Sequence, residues 1–170
     1  MILSFKYTKH KDTPQDELET ICSIKDENWN YGLQNQLDWI KNNINDEDIH
    51  VIVEYNSRLI AYLNLVVRQI TIDKDNFEVF GIGNVCVSKS KHKSGLGTQL
   101  MNYTKEYLKT ESKIGILLCK DSLIKFYEKN GWRLIDTNKL GPSLKGAKVS
   151  VMTFNFNRDY ESIELKGNLF

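Results

Sequence analysis

The sequence predicts an α/β (α+β) fold in which a mixed sheet of about seven strands is flanked by about four helices. Two β-rich runs joined by a short turn occur in the first half of the chain, and short apolar runs alternate with amphipathic stretches in the second half. A hairpin followed by alternating strands and helices is typical of a layered fold with a mixed sheet. The predicted order of elements is β-α-α-β-β-β-α-β-α-β-β.

The bulk composition is that of an ordinary folded domain. The chain has 170 residues, of which 41% are hydrophobic and 26% charged, and its formal net charge is +1. This length can bury a hydrophobic core, so we assign residues 1–157 to one domain and residues 158–170 to a C-terminal tail. A net charge close to zero gives no bulk attraction to nucleic acid or to acidic membranes.

No stretch of the sequence predicts export or a membrane anchor. No apolar run approaches the ~20 residues of a membrane-spanning helix, and the first seven residues are too β-like for a signal peptide. Cys22, Cys86 and Cys119 are an odd number without C-x-x-C spacing, which argues against a disulfide framework or a zinc site. We expect a cytoplasmic protein without a metal, whose cysteines are buried apolar side chains.

Two helices are predicted after a first strand over residues 2–7. The first helix opens at Thr13 and Pro14, with Thr13 as the N-cap and Asp16 placed for a capping-box-like contact. The second helix covers about 31–44, because apolar residues recur there at helical spacing. These residues are Leu33, Leu37, Ile40 and Ile44.

Three β-rich runs follow the second helix. Residues 50–55 and 59–67 are separated by a tight-turn composition, which predicts a hairpin. A further strand over 77–87 is interrupted by Gly81 and Gly83. Glycines inside a strand indicate a bulge or a close backbone approach, and we expect one of the two here.

The second half of the chain alternates helices with strands. The elements are a helix opening near Gly97, a buried strand over 114–119, a helix capped by Asp121 or Ser122 and ended by Asn130 and Gly131, and strands over 132–135 and 149–156. The Asn-Gly pair is a usual signal for the end of a helix, and the continuous apolar run is typical of a strand buried on both faces.

The segment from Val85 to Met101 combines the end of a strand, a basic loop and the start of a helix. Gly95 and Gly97 let the backbone approach an anion without a Cβ in the way. Backbone N–H groups and the positive end of the helix dipole converge at such a helix start. The basic residues around it are Lys89, Lys91, His92 and Lys93. A lone G-x-G is a weak signal, so the pattern leaves open both a phosphate-binding loop and an ordinary strand–helix connection.

Two stretches resemble sequence signatures of the GNAT N-acetyltransferase superfamily. Val85-Cys86-Val87 followed by His92-Lys93-Ser94-Gly95-Leu96-Gly97-Thr98 is similar to its acyl-CoA-binding signature, whose loop reads Gln or Arg, two residues, Gly, one residue, then Gly or Ala. Phe126-Tyr127-Glu128-Lys129-Asn130-Gly131-Trp132 is similar to the later F-Y-E-K-x-G-F segment of that family. The predicted elements follow the order of the family up to about Phe156.

The resemblance implies a GNAT-like, mainly antiparallel sheet and acetyl transfer from acetyl-CoA, as co-substrate, to an amine. It assigns the pantetheine arm and the thioester carbonyl to backbone groups of Val85, Cys86 and Val87. The pyrophosphate is assigned to backbone N–H groups of His92, Lys93, Ser94, Gly95, Leu96, Gly97 and Thr98. Tyr127 matches the frequent general acid of the family, which protonates the CoA sulfur. A core aromatic is the alternative role for Tyr127.

The sequence departs from the family pattern at several positions. His92 stands where the family has Arg or Gln, Trp132 replaces a Phe, and Lys120 or Asp121 lies near a frequent Asn. No carboxylate directly precedes Val85, so the general base is not identified. The nearest carboxylates are Glu78 on the same strand and Asp75 in the turn before it, and a solvated charge at the edge is favoured for both.

The leading hypothesis is an N-acetyltransferase that moves an acetyl group directly to a primary amine of an unidentified small molecule or peptide. One alternative is an enzyme like the aminoglycoside 2'-N-acetyltransferases, which the chain resembles in its Val85–Val87 segment, in Tyr127 with Gly131 and Trp132, and in Gly141-Pro142. The carboxylates that would bind a polycationic sugar are not evident.

Two further classes of function stay open. One is a catalytically degenerate, CoA-binding regulatory domain. It would keep the pyrophosphate cradle, which is the set of backbone N–H groups from His92 to Thr98, but would not catalyse transfer. The lack of an evident general base motivates this alternative. A nucleic-acid-binding module would use the basic loop, but the near-neutral charge argues against it. We therefore expect an amine substrate and neither nucleic acid nor membrane as a partner. Exposed strand edges are compatible with a homodimer, although no residue specifies one.

Overall fold

The computed structural model describes residues 3–170, so the first residue of the strand predicted over 2–7 lies outside the described part. Within these residues the chain forms eight strands and five α-helices. The strands are β1 (Ser4–Lys9), β2 (Ile49–Tyr55), β3 (Arg58–Ile72), β4 (Asp75–Val87), β5 (Ile114–Cys119), β6 (Arg133–Leu134), β7 (Ser150–Phe154) and β8 (Ile163–Lys166). The helices are α1 (Gln15–Asn28), α2 (Leu33–Asn43), α3 (Leu96–Thr110), α4 (Ile124–Lys129) and α5 (Pro142–Gly146).

The predicted fold class, a mixed and mainly antiparallel sheet with helices, is confirmed. The described chain divides into two compact units, 3–66 with Gly83–Thr104, and Val67–Ile82 with Lys105–Phe170. The first unit has the strand order β1-β2-β3-β4. The second has the order β3-β4-β5-β7-β6, with β8 paired to β3. The pairing of β4 with β5 is parallel, whereas β1–β2, β2–β3, β3–β8, β5–β7 and β6–β7 are antiparallel.

The predicted hairpin in the first unit is confirmed. β2 and β3 pair with Val51 opposite Leu63, and the turn between them contains Asn56 and Ser57. Both turn residues are left-handed, with φ of +50° and +58°. Two left-handed residues match the right-handed twist of the flanking strands, which explains why so short a turn joins them.

The predicted cap of the first helix is wrong. α1 begins at Gln15, and Pro14 occupies the N-cap position with extended backbone and no side-chain hydrogen bond. Thr13 lies one residue before the N-cap, and its hydroxyl donates to the carbonyl oxygen of Lys9 at 2.8 Å. Among residues 3–170, the Asp16 carboxylate accepts only from the adjacent N–H, of Glu17, at 3.0 Å.

The core of the second unit lies between its strands and its C-terminal residues. Ile70, Ile72, Val79, Ile116, Val151 and Ile163 are among its buried members. The close approach expected at Gly81 is present, because a Cβ there would lie 2.7 Å from the ring of Phe170. A side chain at Gly81 would displace that ring from the core.

The C-terminal residues include a strand where the sequence predicts a tail over 158–170. β8 pairs with β3, with Leu165 opposite Ile70, and Ile163 is fully buried. Ile163 and Leu165 alternate with Glu164 and Lys166, so the strand has one apolar face. Two apolar residues in a polar stretch are too short a pattern to predict a strand, and the pairing with β3 supplies the rest.

Candidate functional site

The loop between β4 and α3 is fixed at its start by hydrogen bonds to β3 and α1. The Ser88 N–H donates to the carbonyl oxygen of Ile60 at 2.9 Å. The Glu27 carboxylate accepts from the Ser88 hydroxyl at 3.0 Å and from the Lys89 N–H at 2.8 Å. Sequence reasoning missed Glu27, because nothing in its neighbourhood distinguishes it from other carboxylates on α1. The loop therefore begins at a defined position.

The end of β4 is held by two side chains that converge on the carbonyl oxygen of Val87. The donors are His92 Nε2 at 3.0 Å and Asn28 Nδ2 at 3.2 Å. Because a carbonyl only accepts, His92 carries a proton on Nε2 in this contact. The sequence predicts His92 as a source of positive charge, whereas its ring ties the loop back to β4. Both lone pairs of the Val87 carbonyl oxygen are used inside the protein.

The middle of the loop turns sharply before α3. Lys93 and Gly95 have left-handed backbone conformations, with φ of +60° and +81°. The N–H groups of His92 and Ser94 donate to carbonyl oxygens earlier in the loop, each at 3.3 Å. Left-handed residues in a turn can direct successive N–H groups into one concave, anion-binding surface.

Four consecutive backbone N–H groups are free at the start of α3. Among residues 3–170, no acceptor is found for the N–H groups of Gly95, Leu96, Gly97 and Thr98, and the next N–H, of Gln99, bonds to the Gly95 carbonyl oxygen at 3.2 Å. Free donors are expected in the first turn of a helix, and the dipole of the 15-residue α3 adds positive potential at the same end. The N–H groups of the last four residues predicted to bind the pyrophosphate are thus adjacent and free among residues 3–170.

Two of the predicted basic side chains line a cavity in the first unit. This cavity has a volume of about 760 Å³, and Lys89 and Lys91 line it together with residues of α1 and of the β2–β3 hairpin. The Lys91 ammonium also lies 5.7 Å from the ring centroid of Tyr55. The free donors at the start of α3 are backbone groups, whereas these two lysines line the cavity together with α1 and the β2–β3 hairpin.

Val85, Cys86 and Val87 alternate as an extended strand requires, with the two valines half-buried and Cys86 buried. Burial raises the pKa of the Cys86 thiol to about 12 and that of Cys22 to about 11. Cys119 is also buried and free, and burial raises its pKa as well. The prediction of three buried cysteines is confirmed. Since all three stay protonated at neutral pH, none is a candidate nucleophile.

Tyr127 lies on α4 in the second unit and is 6% exposed. Burial, with a smaller contribution from Cys119, raises the pKa of Tyr127 to about 12. Its ring meets that of Phe126 edge-on, with centroids 5.0 Å apart. The carbonyl oxygen of Tyr127 accepts from the Trp132 N–H at 3.1 Å, which closes the turn after the helix. The phenol is therefore buried and protonated at neutral pH.

The two carboxylates considered as bases are engaged in surface ion pairs. Glu78 Oε1 lies 2.6 Å from the Lys113 ammonium, and Asp75 Oδ2 lies 3.4 Å from Arg158 Nη2. Both carboxylates are exposed. This agrees with the role of solvated edge charges that the sequence favours. Asp121 does not cap α4, which starts at Ile124, but accepts from the Ser150 hydroxyl at 2.7 Å.

Residues 3–170 offer neither a membrane-crossing helix nor a grouped set of metal ligands. No helix in this range has both the length and the apolar composition required to cross a membrane. In the same part of the chain, no three His, Cys, Asp or Glu side chains are grouped so that they could hold a metal ion.

A family of known proteins matches well over half of the chain. The description of that family is acetyltransferase (GNAT) domain, and the match covers residues 9–135. This span contains both the start of α3 and Tyr127. No curated protein matches the sequence.

Several solved structures are similar to this chain over most of its length. An acyl-CoA N-acyltransferase from Pseudomonas aeruginosa is 18% identical with a TM-score of 0.64, and the match covers 89% of this chain and 97% of that one. An aminoglycoside 6'-N-acetyltransferase complexed with coenzyme A is 16% identical with a TM-score of 0.66, covering 94% and 99%. The PaiA N-acetyltransferase from Thermoplasma acidophilum, also with coenzyme A, is 16% identical with a TM-score of 0.58, covering 88% and 98%. At these identities the likeness establishes the fold.

Proposed function

Because this chain belongs to the GNAT acetyltransferase family, we propose that it transfers an acetyl group from acetyl-CoA to a primary amine of a small molecule or peptide. One observation carries the proposal. Four consecutive backbone N–H groups, from Gly95 to Thr98, are free at the start of a long helix, in a turn that contains the left-handed residues Lys93 and Gly95. Such an arrangement fits the pyrophosphate of coenzyme A, which needs several donors and no competing side chain.

The residues present fit the remaining parts of the co-substrate. We assign the amide groups of the pantetheine arm to the backbone of Val85 and Cys86 and the N–H of Val87, and not to the Val87 carbonyl oxygen, which already has two donors. Free acetyl-CoA has a reactive thioester, and the three buried thiols do not compete for its acyl group. Their reduced state fits a cytoplasmic location.

The proposed reaction is a direct transfer. The nitrogen of a neutral amine attacks the thioester carbonyl carbon, a C–N bond forms, and the C–S bond breaks. Tyr127 donates its phenolic proton to the departing sulfur, and the proton lost by the amine nitrogen returns through water to the phenolate. The products are the N-acetylated amine and CoA thiol, so that protons and electrons balance. A pKa of about 12 keeps Tyr127 protonated between turnovers.

Calorimetric titration with acetyl-CoA, with free CoA and NAD as controls, tests the first half of the proposal. We expect micromolar binding that is selective for the two CoA compounds, and absence of binding at millimolar acetyl-CoA would overturn the proposal. Turnover is then measured as release of CoA thiol with spermidine, kanamycin, a lysine-containing peptide and phenylethylamine. Binding of acetyl-CoA without turnover of any amine would favour a regulatory CoA-binding domain.

A further inference from the structure

Asn84 has an unusual backbone conformation inside β4. Its φ is +53°, whereas the other non-glycine residues with positive φ among residues 3–170 lie in turns or loops. A left-handed residue within a strand indicates a bulge, and such outliers cluster at functional sites. The parallel pairing of β4 covers Val79–Ile82 and therefore ends before Asn84. The next residue is Val85, the first of the segment proposed to hold the thioester arm.

The side chain of Asn84 is held in one orientation by a buried partner. Its Nδ2 donates to Asn64 Oδ1 at 2.6 Å, and Asn64 is fully buried on β3. Gly83 leaves the space that Asn64 needs, because a Cβ at Gly83 would lie 3.2 Å from Asn64 Nδ2. With Nδ2 turned toward Asn64, the Oδ1 atom of Asn84 faces the opposite way. Asn84 itself is only half-buried, so part of the residue is open to solvent.

The amide pair leaves a donor unused. Asn64 Nδ2 is buried and has no hydrogen-bond partner within residues 3–170. Buried amide donors are normally paired, so a pair that served stability alone would satisfy both groups. This pair instead fixes the amide of Asn84 and presents its oxygen. Orientation of the Asn84 oxygen therefore explains the Asn84–Asn64 pair better than a contribution to stability does.

We propose that Asn84 orients the acceptor amine by accepting a hydrogen bond from its N–H on Oδ1. This inference rests on the proposed function, since it places the amine beside Val85 and the thioester arm. When one N–H of the amine is held at the Asn84 oxygen, the nitrogen lone pair is directed toward the thioester carbonyl carbon. The hydrogen bond therefore orients the amine for attack. An amide oxygen does not take up the amine proton, which leaves to water. The acceptor that fits is a primary amine bound in its uncharged form.

The test compares Asn84→Gly with a matched control, Asn56→Gly. Glycine adopts a left-handed backbone without strain, so Asn84→Gly removes the amide and keeps the path of β4. Asn56 lies in the exposed β2–β3 turn with a φ of +50°, so Asn56→Gly makes the same change outside the site. We expect Asn84→Gly to lower kcat/KM for the best amine of the panel about tenfold, the loss of one hydrogen bond. Asn56→Gly leaves it unchanged.

Two further measurements separate orientation of the amine from other roles. The Kd for acetyl-CoA by calorimetry is expected to stay within about twofold of the wild-type value in Asn84→Gly. In Asn84→Asp a carboxylate oxygen also accepts from an N–H, and Asn64 can turn its unused Nδ2 toward it, so kcat/KM is expected within about threefold of wild type. Thermal unfolding of the three variants establishes that each is folded.

The outcomes that contradict this inference differ from those that contradict the proposed function. An unchanged kcat/KM in Asn84→Gly, or a loss of acetyl-CoA affinity as large as the loss of kcat/KM, overturns the role of Asn84 toward the amine. The second result would assign Asn84 to the pantetheine arm instead. A wild-type protein that binds acetyl-CoA but acetylates no amine contradicts the proposed function itself.

Discussion

His50 Nδ1 lies 2.7 Å from the hydroxyl of Tyr62, and His50 Nε2 lies 3.0 Å from His10 Nδ1. His50 and Tyr62 are buried, whereas His10 is half-buried. Burial, together with smaller effects of the charges of His10 and Lys25, lowers the pKa of His50 to about 3. His50 is therefore neutral at physiological pH and can donate from one ring nitrogen while accepting at the other.

This neutral histidine predicts acid sensitivity. Unfolded His50 titrates near 6.5, so as pH falls from about 6.5 to about 3 the unfolded chain binds a proton that the native state does not. The stabilisation is present above pH 6.5 and is lost over this window, by on the order of 5 kcal/mol. Urea unfolding at pH 7, 5 and 4 is compared between wild type and His50→Gln, which has no titrating ring. If the free energy of unfolding falls equally with pH in the two proteins, the prediction is contradicted. His92→Gln, at an exposed position, is the control.

Lys25 is a buried cation that is expected to destabilise the native state. Its ammonium lies 4.2 Å from the ring centroid of Trp39, its side chain is 1% exposed, and no carboxylate among residues 3–170 forms a salt bridge with it. Burial lowers the pKa of Lys25 to about 8, against a small opposing effect of the Cys22 and Cys86 thiols. Charging Lys25 in the native state thus costs about 3 kcal/mol more than in the unfolded chain.

Replacing this cation is expected to stabilise the protein. The penalty is full below pH 8 and vanishes above pH 10.5, where both states are neutral. Lys25→Met is expected to raise the free energy of unfolding by about 1–3 kcal/mol at pH 7, less the lost contact with Trp39, and by less at pH 10. Urea unfolding at both pH values measures the gain. Lys41→Met, on the exposed side of α2, is the control. A Lys25→Met protein that is less stable than wild type would contradict the prediction and show that the Lys25 ammonium stabilises the native state.

The parts of the fold that local pattern predicts are those with long, uninterrupted periodicity. β5 has the predicted bounds, because its six apolar and glycine residues form one continuous run. β3 runs to Ile72, five residues beyond the predicted end at 67, and β8 pairs with this extension. The extension of β3 is stabilised by β8, which lies near the end of the chain, and so it has no signal in its own local sequence. Neither the end of β3 nor the presence of β8 could therefore be predicted from local composition.

The candidate site divides in the same way. The glycines at 95 and 97 and the basic residues before them are local, and they predict the anion-binding loop. The contacts that position this loop join residues far apart in sequence, 62 positions for Glu27 with Lys89 and 20 for Asn84 with Asn64. No spacing within a single element indicates such pairs, because each partner is an ordinary polar residue of its own helix or strand.

Tyr127→Phe tests the proposed proton donor. Removal of the phenolic hydroxyl is expected to lower kcat about 10²-fold or more, because the departing sulfur then lacks its acid. The Kd for acetyl-CoA is expected to stay within about twofold. Since the pKa of Tyr127 is about 12, wild-type activity should not decline through loss of this proton below about pH 11. Tyr103→Phe, which removes a hydroxyl bonded to the Phe5 carbonyl oxygen, is the control. A Tyr127→Phe enzyme with wild-type kcat would identify Tyr127 as a core aromatic.

Gly95→Ala tests the cradle at the start of α3. Gly95 has a φ of +81°, and a Cβ added there would have no heavy atom within 4 Å, so alanine meets no clash but disfavours the left-handed backbone. The backbone is expected to shift and misalign the free N–H groups of Gly95 to Thr98, which should weaken acetyl-CoA binding at least tenfold. Gly167 has a φ of +85° and equally open surroundings in the second unit. Gly167→Ala therefore imposes the same strain, about 1–2 kcal/mol, at a residue that is not part of the predicted cradle. Calorimetry with acetyl-CoA on both variants separates loss of the N–H groups from general backbone strain. Equal losses of acetyl-CoA affinity would be explained by strain alone and would contradict the proposed cradle.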